Sequence, residues 1–504
     1  MEITSSARRA EPAPLARAHP PRGTLWSAAA AVAAGALLYC AAMLEPWWWA
    51  AWLAPIPLLV AAFHASGRGA RWLAMAAGLI GALATAPYYA IATGFWGSAL
   101  IVLLRALAWG FVVGRTRDAV VKSGRWPVVF LYPALWAGLD TVITALSPHG
   151  SDGTMVFSQA RALPVLQVAA WTGAPGVVFV FSLFASAVAV AVHRGRRIDR
   201  PWLAYGLPGA LILLAAGGGT ARLAARPAGP ALTVGLAAID RGPAMESPEP
   251  EGPAADAIWT AYGQAVAGLA ARGARLVALP EKIAIVEPAA AGALQQRLGA
   301  MARAAGVHLI AGVDVWDRGA AGGDAAHGRR ENRAWLFSPR GELLADYSKQ
   351  HPVPGLEAAY TPGHTDLLLP LAGHRAGVVI CKDLDYPELS RRYARAGASI
   401  VLQPAWDFDE DGWWRVDIAA LRGVESGFTV VHATRNGVMA VTDRYGRRVA
   451  GVASASAPVA TLLTAAPLGP GRPTPYARFG DWFGWLCVAG CAGAALLGSR
   501  RTSG

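Results

Sequence analysis

The sequence predicts a two-part fold: a multi-span α-helical membrane bundle of about eight spans, and an α/β domain held outside the membrane. Three observations predict it. Apolar residues make up 54% of the 504 positions and charged ones only 15%, against roughly 25% charged in an ordinary soluble domain. Eight stretches are apolar over a length close to the ~20 residues that cross a bilayer. Between the seventh and the eighth, short β-type runs alternate with helical stretches, the pattern of one α/β domain.

The expected spans are Leu25–Leu44, Trp47–Phe63, Trp72–Ile91, Phe95–Val113, Pro127–Leu146, Pro164–Val192, Trp202–Gly218 and Trp482–Leu497. The sixth is read either as one tilted span or as a shorter one behind a re-entrant stretch, because Gly173, Pro175 and Gly176 interrupt it. Loop charges orient the set. Arg8, Arg9, Arg17 and Arg22 precede the first span, and Arg68 and Arg71 follow the second. Arg115, Arg117, Lys122 and Arg125 follow the fourth, Arg194, Arg196, Arg197 and Arg200 the sixth, and Arg500 and Arg501 the eighth. The alternate short loops contain only Arg161. Lys/Arg excess marks the cytoplasmic side, so both termini are expected in the cytoplasm and the large segment on the opposite face.

The net charge of +12 comes from these flanks, where 19 basic residues meet 8 acidic ones; Arg222–Pro475 is nearly neutral, with 26 basic and 25 acidic residues. A nucleic-acid-binding protein gathers its basic residues on a folded face, so short basic loops between apolar segments argue against nucleic acid as a partner. The first span is expected to be retained, since bulky Tyr39 before Cys40 does not suit a lipoprotein signal. Trp47, Trp48, Trp49 and Trp52 read as an interfacial aromatic belt. Arg105 and Asp140 lie inside spans, where charge is costly; they are expected to contact each other or a lipid head group.

From Leu232 to Val452 the expected strands are Leu232–Asp240, Leu276–Pro280, His308–Trp316, Ala334–Ser338, Leu343–Ser348, Ala376–Cys381, Ser399–Pro404 and Phe428–Ala433. The expected helices are Ala255–Arg272, Ala289–Ala305, Pro387–Ala396 and Trp413–Ser426. Pro339-Arg340-Gly341-Glu342 reads as a hairpin turn. Gly319–Arg330 reads as a mobile Gly/Ala-rich loop, and the Pro-rich stretch Pro467–Pro475 leads back to the membrane.

Cys40, Cys487 and Cys491 fall in spans, which leaves Cys381 as the one thiol of the α/β domain, without a disulfide partner there. The run Gly377–Ile380 is a buried strand pattern that turns abruptly polar at Cys381-Lys382-Asp383, so the thiol stands where strands deliver side chains to sites. Glu281 ends the run Leu276–Pro280, and Lys349 ends the strand through Tyr347. Singly, Glu281 and Lys349 read as ordinary strand-end charges. Together with Cys381 they form a nucleophilic set: a carboxylate to take the thiol proton, an ammonium to stabilise thiolate and oxyanion, and the thiol itself. The stretch Trp406–Trp414, with Trp406, Trp413 and Trp414 among acidic residues, is expected to be a lid dipping toward the outer leaflet. Neither a metal-ligand cluster nor a phosphate-binding loop is found, so no cofactor is expected.

Glu, Lys and Cys in this order resemble the signature of the nitrilase (carbon–nitrogen hydrolase) superfamily, and the fusion to a membrane bundle resembles the apolipoprotein N-acyltransferase family of bacterial cytoplasmic membranes. The likeness extends through Asn332, Tyr347-Ser348-Lys349, Val353-Pro354, Glu357, Leu402-Gln403, Leu421-Arg422, Glu425 and Ala433–Gly437, and in the bundle through Phe157-Ser158-Gln159 and Gly173–Val177. It implies an αββα sandwich, with Glu281 as base, Lys349 as oxyanion stabiliser, Cys381 as nucleophile and Glu357 holding the lysine. Asn332 and Asp383 stand as further supporting residues.

The implied organisation is a cytoplasmic tail at 1–24, seven spans over 25–220, an extracytoplasmic catalytic domain at 221–475, a last span at 476–498 and a tail at 499–504. The implied reaction moves an acyl chain from a phospholipid to the amine of a diacylglyceryl apolipoprotein. A membrane-tethered amidase, or an acyltransferase acting on another amine, would keep the triad and alter the loops at 382–414; a non-enzymatic scaffold or transporter would have no need of an intact Glu/Lys/Cys set. Three departures mark a divergent member: Lys382-Asp383-Leu384-Asp385 follow the cysteine in place of an aromatic and an acid, Gly355-Leu356-Glu357 stands for Phe-Gly-Glu, and Trp406-Asp407-Phe408-Asp409 stands for Trp-Phe-Gly.

Overall fold

The computed structural model describes residues 23–224, 230–240, 253–319 and 328–500. Among the described residues, five helical stretches are long and apolar enough to cross a membrane: Leu25–Ala42, Gly67–Lys122, Trp126–Leu146, Ala174–Arg197 and Trp202–Ala224. Trp48–His64, Leu163–Thr172 and Trp482–Ala494 are shorter apolar helices. Gly67–Lys122 is a hairpin: the chain reverses at Gly94, whose φ of +68° is open to glycine. Its arms run so close that a Cβ on Gly78 would lie 2.7 Å from the Trp109 ring, and one on Gly110 2.6 Å from Met75. Small residues permit such approach where lipid gives no hydrophobic drive. The sixth expected span is divided at Gly173 (φ +70°): short helices Leu163–Leu166 and Ala169–Thr172 precede the long helix Ala174–Arg194.

Two expectations for the bundle are corrected in part. Arg105 and Asp140 do not meet. Arg105 donates to Thr85 Oγ1 at 2.7 Å, Tyr89 OH at 2.9 Å and the Gly153 carbonyl at 3.3 Å, while Asp140 accepts from Thr154. Trp47, Trp48 and Trp49 are exposed as a belt requires, but Trp52 turns inward and donates its indole N–H to Gln159 Oε1 at 2.8 Å.

The α/β part is a four-layer αββα sandwich. Its strands are β1 (Ala231–Ala238), β2 (Leu276–Ala278), β3 (Ile285–Val286), β4 (His308–Asp317), β5 (Arg329–Phe337), β6 (Leu343–Ser348), β7 (Leu367–Leu371), β8 (His374–Val378), β9 (Ile400–Trp406), β10 (Thr429–Arg435), β11 (Val438–Thr442), β12 (Arg448–Ala453) and β13 (Ala460–Pro467). One sheet has the order β13-β1-β2-β4-β5-β6 with β3 beside β4, and the other β12-β11-β10-β9-β8-β7. The parallel neighbours β1/β2/β4 and β8/β9/β10 lie at the centres of the sheets. Their facing residues, among them Leu236, Leu276, Ile310, Val378, Leu402 and Val431, make the inter-sheet core.

Helices Pro253–Ala271 and Ala291–Ala305 cover the first sheet. Helices Pro387–Arg395 and Gly412–Ser426 cover the second, and one apolar core runs from that sheet through them into the bundle: Leu389, Tyr393, Ile418 and Leu421 share it with Phe157, Ala169 and Val177.

All eight expected strands and four expected helices are present within a few residues. The domain extends past Val452: β13 pairs with β1 along its whole length, from Ala231↔Pro467 to Ala238↔Ala460. Of the expected loop Gly319–Arg330, residues 320–327 lie outside the described residues, and Arg329 and Arg330 open β5.

Candidate active site

Glu281, Lys349 and Cys381 each follow a strand of the two facing sheets. Glu281 lies in a turn after β2 that leans on β4, where only glycine fits: a Cβ on Gly312 would sit 2.5 Å from Glu281 Cα. The Gly312 N–H donates to the Pro280 carbonyl at 3.0 Å, and the Glu281 N–H reaches across to Ala405 of β9 at 3.2 Å. Lys349 follows β6 and donates its backbone N–H to the Asn332 carbonyl on β5 at 2.9 Å. Cys381 opens a 3₁₀ turn to Asp385 with φ +42°, a left-handed conformation that costs a non-glycine residue about 1–3 kcal/mol and is held only where its surroundings require it. Gln403 secures that turn by donating to the Cys381 carbonyl at 2.9 Å, and the thiol lies 3.7 Å from the Trp406 carbonyl.

The side chains converge. Lys349 Nζ is 3.0 Å from Glu281 Oε1 and 2.7 Å from Glu357 Oε2, with all three groups buried. Asn332 donates to both Glu281 and Glu357, locking the two carboxylates in one frame. Glu357 Oε2 also accepts from the Val353 N–H at 2.8 Å. Glu281 Oε2 is buried with no hydrogen-bond partner among the described residues, so one oxygen of that carboxylate is open to a proton. Burial pushes the Cys381 thiol up and the Glu281 charge pushes it further, while Lys349 and Arg415 pull it down. For Lys349, burial alone would lower its affinity for a proton; Glu281, Glu357 and Cys381 outweigh it and hold the ammonium charged. Burial likewise works against ionised Glu357, and Lys349 with Lys282 overcomes it, keeping the carboxyl well below the usual carboxylate range.

Asp383 ties the pieces together. Its Oδ1 accepts from the backbone N–H of Gln350 (3.1 Å) and His351 (2.9 Å) and faces His351 Nδ1 at 3.0 Å, and its Oδ2 accepts from Tyr347 OH (2.8 Å) and the Ile380 N–H (3.0 Å). One carboxylate thus joins the residues flanking Lys349 to the residue before Cys381.

The departures have structural counterparts. Lys382 is buried and paired with Asp385 at 2.8 Å, and with Asp152 of the bundle at 3.8 Å. Gly355 (φ +87°) lets its loop touch the membrane hairpin, where an added Cβ would lie 3.1 Å from the Ala92 carbonyl. Asp407 turns inward: its Oδ2 faces His432 Nε2 at 2.8 Å, and His432 Nδ1 faces Gln403 Oε1 at 2.9 Å, a buried chain ending on the Cys381 carbonyl.

The lid expectation is corrected in part. A helix begins at Gly412, so Trp413 and Trp414 belong to its first turn. Trp414 is buried and packs on Phe157 of the bundle, with ring centroids 5.2 Å apart. Trp413 lies half-buried beneath Arg448, and Trp406 carries the Arg435 guanidinium on its ring, 3.4 Å from the centroid. Sequence reasoning missed Lys282 and His432, and marked Gln403 only as part of the family likeness, without a role. Lys282 adjoins Glu281 with no pattern to mark it, and Gln403 and His432 sit in apolar strands with no spacing signal of their own.

A two-sheet sandwich flanked by helices, seated on an apolar helical bundle, places the chain among membrane-attached carbon–nitrogen hydrolases. Residues 250–465 match the carbon-nitrogen hydrolase family model, and residues 34–187 match that of the apolipoprotein N-acyltransferase N-terminal domain. One chain thus carries a stretch similar to the apolipoprotein N-acyltransferase N-terminal domain ahead of a carbon-nitrogen hydrolase domain. It is 26% identical over 501 residues to an apolipoprotein N-acyltransferase of Geobacter metallireducens, an alignment covering 90% of this chain and 91% of that protein. An apolipoprotein N-acyltransferase of Brucella melitensis is 28% identical over 33% of this chain and 35% of its own length. Among solved structures, an amidase from Nesterenkonia sp. superposes with a TM-score of 0.39 at 22% identity, covering 50% of this chain and 94% of that one.

Proposed function

We propose that the protein transfers an acyl chain from a membrane phospholipid, through a thioester on Cys381, to the N-terminal amine of the diacylglyceryl-cysteine of apolipoproteins. The observation that carries this reading is the Lys349 ammonium held between Glu281 and Glu357 and acting on the Cys381 thiol, in a chain whose membrane half matches the N-terminal domain of that acyltransferase family.

Glu281 takes the thiol proton and the thiolate attacks the ester carbonyl carbon. Lys349 stabilises the oxyanion, and Glu357 with Asn332 keeps Lys349 in place. The carbon–oxygen bond to glycerol breaks, and the proton on Glu281 passes to the departing alkoxide as lysophospholipid leaves. The acceptor amine then attacks the thioester, gives a proton to Glu281, and displaces Cys381 as the carbon–nitrogen bond forms. Separable half-reactions are the mark of covalent catalysis. In this reading the domain at 221–475 stands on the periplasmic side of the cytoplasmic (inner) membrane, with both termini in the cytoplasm, as the basic loops require.

Incubation of the purified protein with phospholipid alone should add one acyl mass to the peptide bearing Cys381, and a diacylglyceryl-cysteine peptide should then remove it as an amide. Cys381→Ser should abolish turnover, and Lys349→Ala should slow acylation by about 100- to 1000-fold, as loss of an oxyanion donor does. An acyl group on another residue, or full activity in Cys381→Ala, would overturn the assignment. Release of free fatty acid alone would favour a hydrolase.

A further inference from the structure

Lys282 stands directly after Glu281 with φ +51°, a conformation in which an L side chain is strained. The strained turn aims the side chain inward. Lys282 Nζ is 2.5 Å from Glu357 Oε1, while the other oxygen of the same carboxylate holds Lys349 at 2.7 Å. The ammonium lies 4.2 Å from the centroid of the Tyr360 ring and 5.9 Å from that of Trp406, two π faces that favour a cation. Lys282 is buried, so none of this is a surface pairing.

The charge count gives the contact its meaning. Two ionised carboxylates, Glu281 and Glu357, against Lys349 alone would leave the pocket net negative, and Lys282 brings it to neutrality. Acyl transfer adds an anion beside this set, first a thiolate and then an oxyanion. A buried site that is already negative opposes a further negative charge.

We propose that Lys282 is a positioning residue for the acyl transfer proposed above, offsetting the charge of Glu357 and fixing its carboxylate so that Lys349 serves the anion that forms at Cys381. The inference rests on that reading for its chemistry and on the geometry around Glu357 for its residue. The charged groups acting on the thiol are Glu281, Lys349, Arg415 and Asp407. Those around Lys282 are Glu357, Arg435 on the shared Trp406 ring, and on the shared Tyr360 ring Arg330 with its partner Asp314.

The test is alkylation of Cys381 by iodoacetamide in the full-length protein in detergent, followed by mass spectrometry of its peptide across a pH series, which needs no phospholipid. Lys282→Met should react about tenfold more slowly near neutral pH, with the midpoint moved upward, because Glu357, left with one cation, draws the Lys349 charge away from the thiol. Lys282→Arg should stay near wild type. The double variant Lys282→Met/Glu357→Gln, neutral again, should recover part of the lost reactivity relative to Lys282→Met. If Lys282→Met alone fails to fold, folding of the double variant carries the same conclusion. A folded Lys282→Met that alkylates as wild type, a double variant slower than the single one, or failure of both to fold overturns the proposal. Normal alkylation shifts without phospholipid acylation would sink the acyl-transfer reading and leave the electrostatic role of Lys282 standing.

Discussion

Replacing Asp383 by Asn removes one negative charge and one acceptor oxygen from a fully buried position that receives four hydrogen bonds and faces an imidazole nitrogen. The amide has two orientations, and both fail. With its NH₂ in the place of Oδ2, it meets the Ile380 N–H donor to donor; in the place of Oδ1, it meets the N–H groups of Gln350 and His351. At least one backbone N–H is left unsatisfied in either case, at about 1–3 kcal/mol, and the remaining bonds lose their charge assistance, so the total is on the order of 3–5 kcal/mol. The loss falls on the joint between the Lys349 loop and the Cys381 turn. Acylation should therefore drop about 100-fold or more even at temperatures where the protein stays folded, because misplacement by about 1 Å costs that much. Thermal unfolding in detergent, paired with single-turnover acylation of Cys381, measures both effects. An Asp383→Asn protein with wild-type melting temperature and acylation rate would refute the argument that this carboxylate couples the two loops.

Glu281→Gln should separate two rates: alkylation of Cys381 should rise, because the Glu281 charge helps hold the thiol up, while acyl transfer falls for want of a base; both moving the same way in the two assays would contradict the role. Gly312→Ala should displace the Glu281 turn, since the new methyl would lie 2.5 Å from its Cα, and acylation should fall about 10- to 100-fold with the membrane helices intact by circular dichroism. Trp414→Ala should destabilise the whole protein by about 3–5 kcal/mol in thermal unfolding and impair membrane-embedded and soluble ester substrates alike, whereas Trp413→Ala, half-buried at the surface, should cost far less. Reporters fused after Gly218 and after Arg501 should be active outside and inside the cytoplasm respectively; activity on one side for both would end the topology proposed from the basic loops.

The central strands were legible because each is a continuous apolar run: Leu276–Leu279 and Val378–Ile380 are buried on both faces. β12 and β13 escaped notice because they close the outer margins of the sheets, where exposed and buried positions mix without a clean period. Glu281, Lys349 and Cys381 announced themselves as polar residues ending apolar runs. Lys282 did not, because its direction depends on a positive φ that lysine seldom adopts and no sequence pattern marks. The aromatic stretch misled for a related reason. Trp413 and Trp414 are adjacent in sequence, yet the step of about 100° between neighbours on a helix sends the first toward Arg448 and the second into the bundle. The inward turn of Asp407 rests on His432, 25 residues away, and only the fold brings them together.

The second helical layer of the sandwich has two dry faces. One seals a sheet, and the other is continuous with the interior of the membrane bundle, where Trp414 packs on Phe157 and Ile418 and Leu421 share its core. The bundle thus keeps dry a face that would otherwise meet water. Cut away near residue 221, the hydrolase-like half would present that layer naked to water and would be expected to self-associate or bind detergent as an orphaned protomer does. The membrane here is more than an anchor: its helices are the quaternary partner of the α/β half, supplied within a single chain.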